Sequence, residues 1–288
     1  MIHKAKKSLG QNFLKSEPAL RAIVEAGDII PTDIILEIGP GKGALTEKLL
    51  EKSCTVIAVE KDRDLIETLT EKFSEEIVTK KLVLIRGDIL ELNLEIILKD
   101  IALKSIAEAD GPSIAISQQG NMCGFQSNIL QDYKIIANIP YNITGAILKK
   151  FLTTEHQPET MVLMVQHEVA KRIVARDGKE SILSISVKAY GEPKIIMKVP
   201  ARYFSPAPKV DSAVIAIKNI SRKNFLRQGL GGINEGKFWE IVKAGFAHKR
   251  KKLSKNLADA GVKYKKTELG NKRAEELKLE DWITLAQE

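Results

Sequence analysis

Ile34-Ile35-Leu36-Glu37-Ile38-Gly39-Pro40-Gly41-Lys42-Gly43 is a short apolar run that passes directly into a glycine turn, and Ala44, Leu45, Leu49 and Leu50 follow at helical spacing. The unit reads as strand, glycine turn and helix. Glycines at such a turn let the main chain bend tightly and let a ligand approach the backbone, with a helix N-terminus behind it. The spacing is Gly-x-Gly-x-Gly. It differs from the G-x-G-x-x-G of dinucleotide sites, and the chain carries no G-x-x-x-x-G-K-[ST] phosphate loop.

Working outward, Thr55-Val56-Ile57-Ala58-Val59 ends in Glu60, about twenty residues after Gly39, where an acid can accept both hydroxyls of a ribose. Leu82-Val83-Leu84-Ile85 is followed by Arg86-Gly87-Asp88, and Ile135-Ile136-Ala137 stops at Asn138-Ile139-Pro140-Tyr141. The Asn138 side chain offers a carbonyl acceptor, the residue before Pro140 is pushed into an extended conformation, and Tyr141 offers a flat face for a base. Taken singly, each acid reads as a solvated strand end and the tetrapeptide as an ordinary turn. In an open parallel sheet, ligands bind at the C-terminal strand ends. Four successive ends carrying Gly-x-Gly-x-Gly, Glu60, Asp88 and Asn138 therefore describe a nucleoside-binding edge with an amine acceptor beside it.

Ser8-Leu9-Gly10-Gln11-Asn12-Phe13-Leu14, Glu37-Ile38-Gly39-Pro40-Gly41, Asp88, Asn138-Ile139-Pro140-Tyr141, Phe204-Ser205-Pro206-Ala207-Pro208-Lys209-Val210-Asp211-Ser212 and Phe246-Ala247-His248-Lys249-Arg250-Lys251-Lys252-Leu253 occur in that order. Together they span nearly the whole chain, and the chain resembles the ribosomal small-subunit RNA adenine N6,N6-dimethyltransferase family. The resemblance implies an α/β fold, a Rossmann-like S-adenosylmethionine-dependent methyltransferase sheet with a smaller helical C-terminal domain. It implies that Asn12 and Leu14 close over the cofactor, that Gly39 and Gly41 lie against its methionine part, and that Glu60 holds the ribose. By the same resemblance Asp88 accepts from the cofactor's adenine amino group and Asn138 links cofactor and target. Tyr141 and Phe204 would form the two walls of an aromatic clamp, and the Asn138 oxygen and Pro140 carbonyl would draw the target N–H bonds out of the ring plane. The implied reaction is dimethylation of two adjacent adenines near the 3′ end of small-subunit ribosomal RNA, coupled to subunit maturation. A sulfonium methyl is already activated, so positioning and fixed dipoles suffice and no general base is required.

The 288 residues are 44% hydrophobic, enough for one large core with an appended domain. The expected organisation is a basic N-terminal arm over 1–15, the methyltransferase domain over 16–220 with Ala213 to Ile217 as its last strand, and a basic helical domain over 221–288. Ser221 to Gly236, with Gly229, Gly231, Gly232 and Gly236, reads as a linker, and Thr267 to Leu277 and Asp281 to Glu288 read as the last helical pieces. The net charge of +8 is unevenly placed. Residues 221–288 hold sixteen Lys/Arg against nine Asp/Glu, and 1–15 hold four lysines and no acid, which leaves the stretch between them net acidic. Positive potential at both ends suits a phosphate backbone gripped around a base pocket. Lys249, Arg250, Lys251 and Lys252 are the sharpest RNA-binding candidates, because Val242, Phe246, Leu253 and Leu257 would anchor the other side of one helix. The expected partner is small-subunit ribosomal RNA within an assembling subunit, bound by a monomer.

His3, His156, His167 and His248 show no metal-ligand spacing and no nucleophile partner, and Cys54 and Cys123 lie far apart without C-x-x-C spacing, so no metal and reduced thiols are expected. No window of eighteen apolar residues and no signal-peptide stretch occurs, which points to a cytoplasmic protein without a membrane partner. Asp110 to Gln131, rich in Gly, Ser, Gln and Asn, departs from the family pattern and is expected to be largely irregular. Rival readings are the related methyltransferase of large-subunit RNA that confers macrolide resistance, a non-catalytic ribosome assembly factor, and a DNA adenine methyltransferase. Pro-Lys-Val-Asp-Ser, Lys-Arg-Lys-Lys and the lysine-rich start favour the small-subunit enzyme.

Overall fold

The computed structural model describes residues 5–52, 54–94, 96–99, 132–225, 233–264 and 267–287. His3, Cys123, Gly229, Gly231, Gly232 and nearly all of Asp88 to Asn138 beyond Lys99, including Asp110 to Gln131, lie outside them. The described residues form nine strands: β1 Phe13–Leu14, β2 Ile34–Ile38, β3 Thr55–Glu60, β4 Leu82–Arg86, β5 Tyr133–Asn138, β6 Thr160–Gln166, β7 Glu192–Val199, β8 Phe204–Ser205 and β9 Ser212–Lys218. Helices α1 Glu17–Ala26, α2 Ala44–Leu50, α3 Arg63–Lys72, α4 Ser74–Val78, α5 Thr144–Thr153, α6 His167–Val174 and α7 Ile182–Lys188 accompany the sheet, and α8 Glu235–Gly245, α9 Leu253–Asp259 and α10 Leu279–Ala286 follow it.

The seven-stranded sheet has the order β4-β3-β2-β5-β6-β9-β7. Its first five strands are mutually parallel, and β9 runs antiparallel to both β6 and β7. Successive residues serve opposite faces: Leu36, Ile57 and Ile135 enter one apolar cluster, Ile35, Val56 and Ile136 the other. Covered on both sides, these strands must be nearly continuous apolar runs, each fully buried aliphatic side chain stabilising by about 1.5–3 kcal/mol. The chain winds outward from β2 through β3 to β4 and then returns to place β5 on the other flank of β2. That reversal opens a crevice above the C-terminal ends of β2 and β5, where open α/β sheets bind ligands.

The C-terminal segment differs from the single basic helix expected. Helix α8 ends at Gly245 and α9 begins at Leu253, so Lys249 to Lys252 occupy the connection between two helices. Asn256, buried in α9, donates through Nδ2 to the carbonyls of Gly245 (2.6 Å) and His248 (3.1 Å), satisfying groups that a helix end leaves free. A Cβ at Gly245 would stand 2.5 Å from the Trp282 ring, so α8 meets α10 only because that residue has no side chain. Thr267 to Leu277 is likewise not a helix but two 3-10 turns, Glu268–Asn271 and Ala274–Glu276. Gly236 lies in the first turn of α8, which Asn234 caps by accepting from Lys237 N–H, and not in a linker. Phe225, Phe238 and Trp239 pack around Tyr190, so these helices share one apolar cluster with a face of the sheet.

Candidate functional site

A cleft of about 550 Å³ opens at the crevice, roofed by residues 8–15 and floored by the ends of β2, β3 and β5. Asn12, Leu14, Gly39, Gly41, Glu60, Asp88, Asn138, Pro140 and Tyr141 all line it. Phe204 does not. The residue is 4% exposed and belongs to the apolar cluster that holds Leu14, Leu20 and Ile23.

The three turn glycines have separate reasons to be glycine. Gly39, Gly41 and Gly43 have φ of +67°, +61° and +77°, a region that costs other residues about 1–2 kcal/mol. A Cβ at Gly39 would meet nothing within 4 Å, so the backbone there faces the open cleft. At Gly41 it would stand 3.0 Å from the Phe13 ring, and at Gly43 it would lie 2.5 Å from Phe73. The middle glycine thus lets the roof close and the last lets α3 pack.

The roof is fastened at both ends. Leu14 pairs with Phe204 and Phe13 with Ser205 in the two-stranded β1–β8 ladder. Gln11 Nε2 donates to Asp62 at 2.8 Å, and Lys6 pairs with Asp62 at 2.6 Å and Asp64 at 2.8 Å. The described part of the expected basic arm is therefore docked on the body, and Lys6 is neutralised there by two carboxylates.

Burial organises the carboxylates. Glu60, 6% exposed, accepts from Gly41 N–H at 3.1 Å and Asp62 N–H at 2.9 Å; burial pushes its pKa up, and backbone N–H donors oppose this. Asp88 accepts from Lys61 Nζ at 2.7 Å and Leu90 N–H at 3.0 Å, and Lys61 holds it below the usual carboxylate range. Lys150 donates to the Leu90 and Leu92 carbonyls at 3.0 and 2.8 Å, pinning the loop that follows Asp88. Glu37 carries no assigned role in the sequence reading, yet it is 1% exposed, lines the cleft and has a buried Oε2 without a hydrogen-bond partner among the described residues. Burial, with the charge of Glu60 adding and Thr46 opposing, raises its pKa to about 8. The signal was an acid inside a strand whose neighbours read as wholly buried.

At the β5 end, Asn138 Nδ2 donates to the Asn12 carbonyl at 3.3 Å. With its NH₂ turned to the roof, the amide's carbonyl is the group left to accept. The Pro140 carbonyl already accepts from Ile143 N–H at 3.3 Å, closing the 3-10 turn Tyr141–Ile143. The Tyr141 hydroxyl lies 2.5 Å from Ser212 Oγ. Among the described residues no group of three His, Cys, Asp or Glu side chains could hold a metal ion, and no helix is long and apolar enough to cross a membrane.

A second cavity of about 1110 Å³ lies between α6, β7 and the C-terminal segment, and its lining includes Lys171, Arg172, Arg176, Lys198 and Lys249. Lys198 pairs with Asp211 at 2.9 Å; the other four have no ion pair among the described residues. His167, which also lines it, is held below its ordinary pKa by burial first and then by Lys171, Lys198 and Arg176, with Asp211 opposing. Lys171 and Arg172 stand on α6, Arg176 just after it and Lys198 on β7, so apart from Lys249 no run in the sequence announces them.

The family model described as ribosomal RNA adenine dimethylase matches residues 2–288. A protein named ribosomal RNA small subunit methyltransferase A from Dehalococcoides mccartyi is 39% identical over 295 residues, covering 99% of this chain and 88% of that one. A protein of the same name from Fusobacterium nucleatum is 35% identical, covering 99% and 97%. Among solved structures, a dimethyladenosine transferase from Plasmodium falciparum has a TM-score of 0.69 at 23% identity, covering 95% of each chain. The 23S rRNA methyltransferase ErmE has a TM-score of 0.67 at 23% identity, covering 95% of this chain and 98% of that one. At such identities the two structures share the fold, the Rossmann-like α/β methyltransferase sheet with a helical C-terminal part.

Proposed function

This chain belongs to the ribosomal RNA adenine dimethylase family, and we infer from that premise that it dimethylates the N6 amino groups of adenines in small-subunit ribosomal RNA. It is an S-adenosylmethionine-dependent enzyme. The small-subunit reading is preferred to the large-subunit rival because the relatives at 35–39% identity carry the small-subunit name, whereas ErmE is alike in fold. Two adjacent adenines near the 3′ end, within an assembling subunit, are the finer target of the proposal.

The cleft fits the cofactor on two observations. The main chain at Gly39 has open space where a side chain would stand, and Glu37 Oε2 is a buried, unpartnered acceptor suited to an ammonium group. Glu60 would hold the ribose and Asp88 the adenine amino group, with Asn12 and Leu14 covering both. When bound, S-adenosylmethionine supplies a methyl group on a sulfonium, already activated for displacement. Asn138 Oδ1 accepts an N–H of the target amine and turns its lone pair toward the cleft, while Tyr141 offers its ring to the base. Positioning of this kind contributes several kcal/mol, and fixed dipoles in a dry site add to it. Lys249, Arg250, Lys251 and Lys252, with the cations of the second cavity, would hold the phosphate backbone.

The observation that carries this reading is the convergence of Gly39, Glu60, Asp88 and Asn138 on one cleft. Its test is transfer of radiolabelled methyl groups from S-adenosylmethionine to unmethylated small subunits, with large subunits and naked RNAs in parallel. N6,N6-dimethyladenine in small-subunit RNA is expected. Label confined to large subunits would select the resistance-type rival, and binding without label an assembly factor.

A further inference from the structure

We propose that Ser212 is a positioning residue for methyl transfer, acting through its hydrogen bond to Tyr141; the proposal rests on the reading of Tyr141 as the platform for the target base. Strand β6 separates β5 from β9, so the Tyr141 side chain crosses the β6 end to bring its hydroxyl 2.5 Å from Ser212 Oγ. Ser212 is fully buried and paired on both sides, with Gln166 of β6 and Val199 of β7. The preceding residue is fixed as well. Asp211 accepts from His167 N–H at 2.9 Å through its carbonyl and from Ala201 N–H at 3.0 Å through Oδ1, and pairs with Lys198 through Oδ2. The hydroxyl is thus anchored to a strand position paired on both sides, whereas Tyr141 itself stands on a single 3-10 turn. A base platform tethered only at its Cα swings about χ1 and χ2; tethered also at its hydroxyl, it presents one face orientation. This gives the last residue of the Pro-x-Pro-Lys-Val-Asp-Ser segment a role at the site although it does not line the cleft.

The test is a double-mutant cycle on Tyr141→Phe and Ser212→Ala, read as single-turnover methyl transfer to unmethylated small subunits at saturating S-adenosylmethionine, with cofactor affinity and melting temperature measured alongside. Each single change is expected to slow transfer about 3- to 10-fold, the size of one hydrogen bond, with cofactor affinity unchanged. The double variant should be no slower than the slower single one. Multiplying effects, or two singles with wild-type rates, would overturn the proposal. If Ser212→Ala fails to fold, Tyr141→Phe still deletes the same bond from outside the strand, and a wild-type rate there overturns it too. Tyr141→Ala separates the two levels. A wild-type rate in Tyr141→Ala would remove the platform itself and the role of Ser212 with it, whereas a severe loss there beside a silent Tyr141→Phe would remove only Ser212.

Discussion

The cleft and the connection between α8 and α9 both gather charge, under opposite conditions. In the cleft, Glu37 and Glu60 sit at 1% and 6% exposure, one with an unpartnered oxygen and the other held by two backbone N–H groups. At the connection, Lys249, Arg250 and Lys252 stand exposed in water. A buried group is desolvated already and responds to the placement of single atoms, so its effects are large and geometric. An exposed cation is screened by water and ions, so its effects are modest and erased by salt. Chemistry therefore belongs to the first region and grip to the second.

The sharpest break in this contrast is Asn138→Ala. It removes the accepting oxygen while sparing the acids and the glycine turn, so transfer should fall by about 1,000-fold or more. Cofactor affinity, followed by calorimetry, should weaken only severalfold. Collapsed affinity with normal turnover at saturation would move Asn138 from the amine to the cofactor.

Two glycines of the turn, Gly39 in the cleft lining and Gly43 outside it, sharpen the comparison. Gly43→Ala combines a positive φ with a Cβ 2.5 Å from Phe73 and should cost about 2–4 kcal/mol of stability in denaturant unfolding. Gly39→Ala has the same φ penalty with open space around it, about 1–2 kcal/mol, and should lose cofactor affinity out of proportion to stability. Equal affinity losses in the two variants would deny Gly39 its place at the ligand.

Glu37 provides a test of burial alone. Its pKa of about 8 stands above the ordinary 4.5, so the folded state holds the proton between those values. The stability this contributes is present below the lower value and is lost as pH rises through the upper one. In cofactor-free protein, Glu37→Gln should melt close to wild type at low pH and above it near pH 9, the curves parting across that interval. Parallel curves would mean that the carboxyl is solvated.

Much of this architecture was legible because burial writes itself into composition. The runs ending at Ile38, Glu60, Ile85 and Asn138 are strands β2 to β5, since a parallel strand covered on both faces has little choice but apolar residues. Strand β9, antiparallel but buried along the same stretch, covers the run Ala213 to Ile217. What stayed hidden depends on contacts distant in sequence. The spacing of Val242, Phe246, Leu253 and Leu257 fits one helix; the break arises because Asn256 folds back on Gly245 and His248 and because Trp282 packs on Gly245. Phe204 reads as core from its residue type and as a clamp wall only through the resemblance; its ladder with Leu14, a contact distant in sequence, sets it in the apolar cluster. Ser212 looks like any strand-opening serine until Tyr141 reaches it across β6.

The smallest expected effects lie within the basic connection. Lys251 pairs with Asp259 at 2.9 Å, whereas Lys249 has no ion pair among the described residues and also lines the second cavity. A surface ion pair is worth about 0–1 kcal/mol, enough to compete with a phosphate without displacing it. Each phosphate contact contributes about 0.7–0.9 to the slope of log affinity against log salt. Lys249→Ala should therefore lower that slope by nearly one contact and Lys251→Ala by less, with transfer at saturating RNA unchanged in both. Asp259→Asn should release Lys251 and bring its contribution up to that of Lys249. An RNA titration across salt concentrations that gave identical slopes for all three variants and the wild type would take this face out of the interface and leave the grip to Lys171, Arg172 and Arg176.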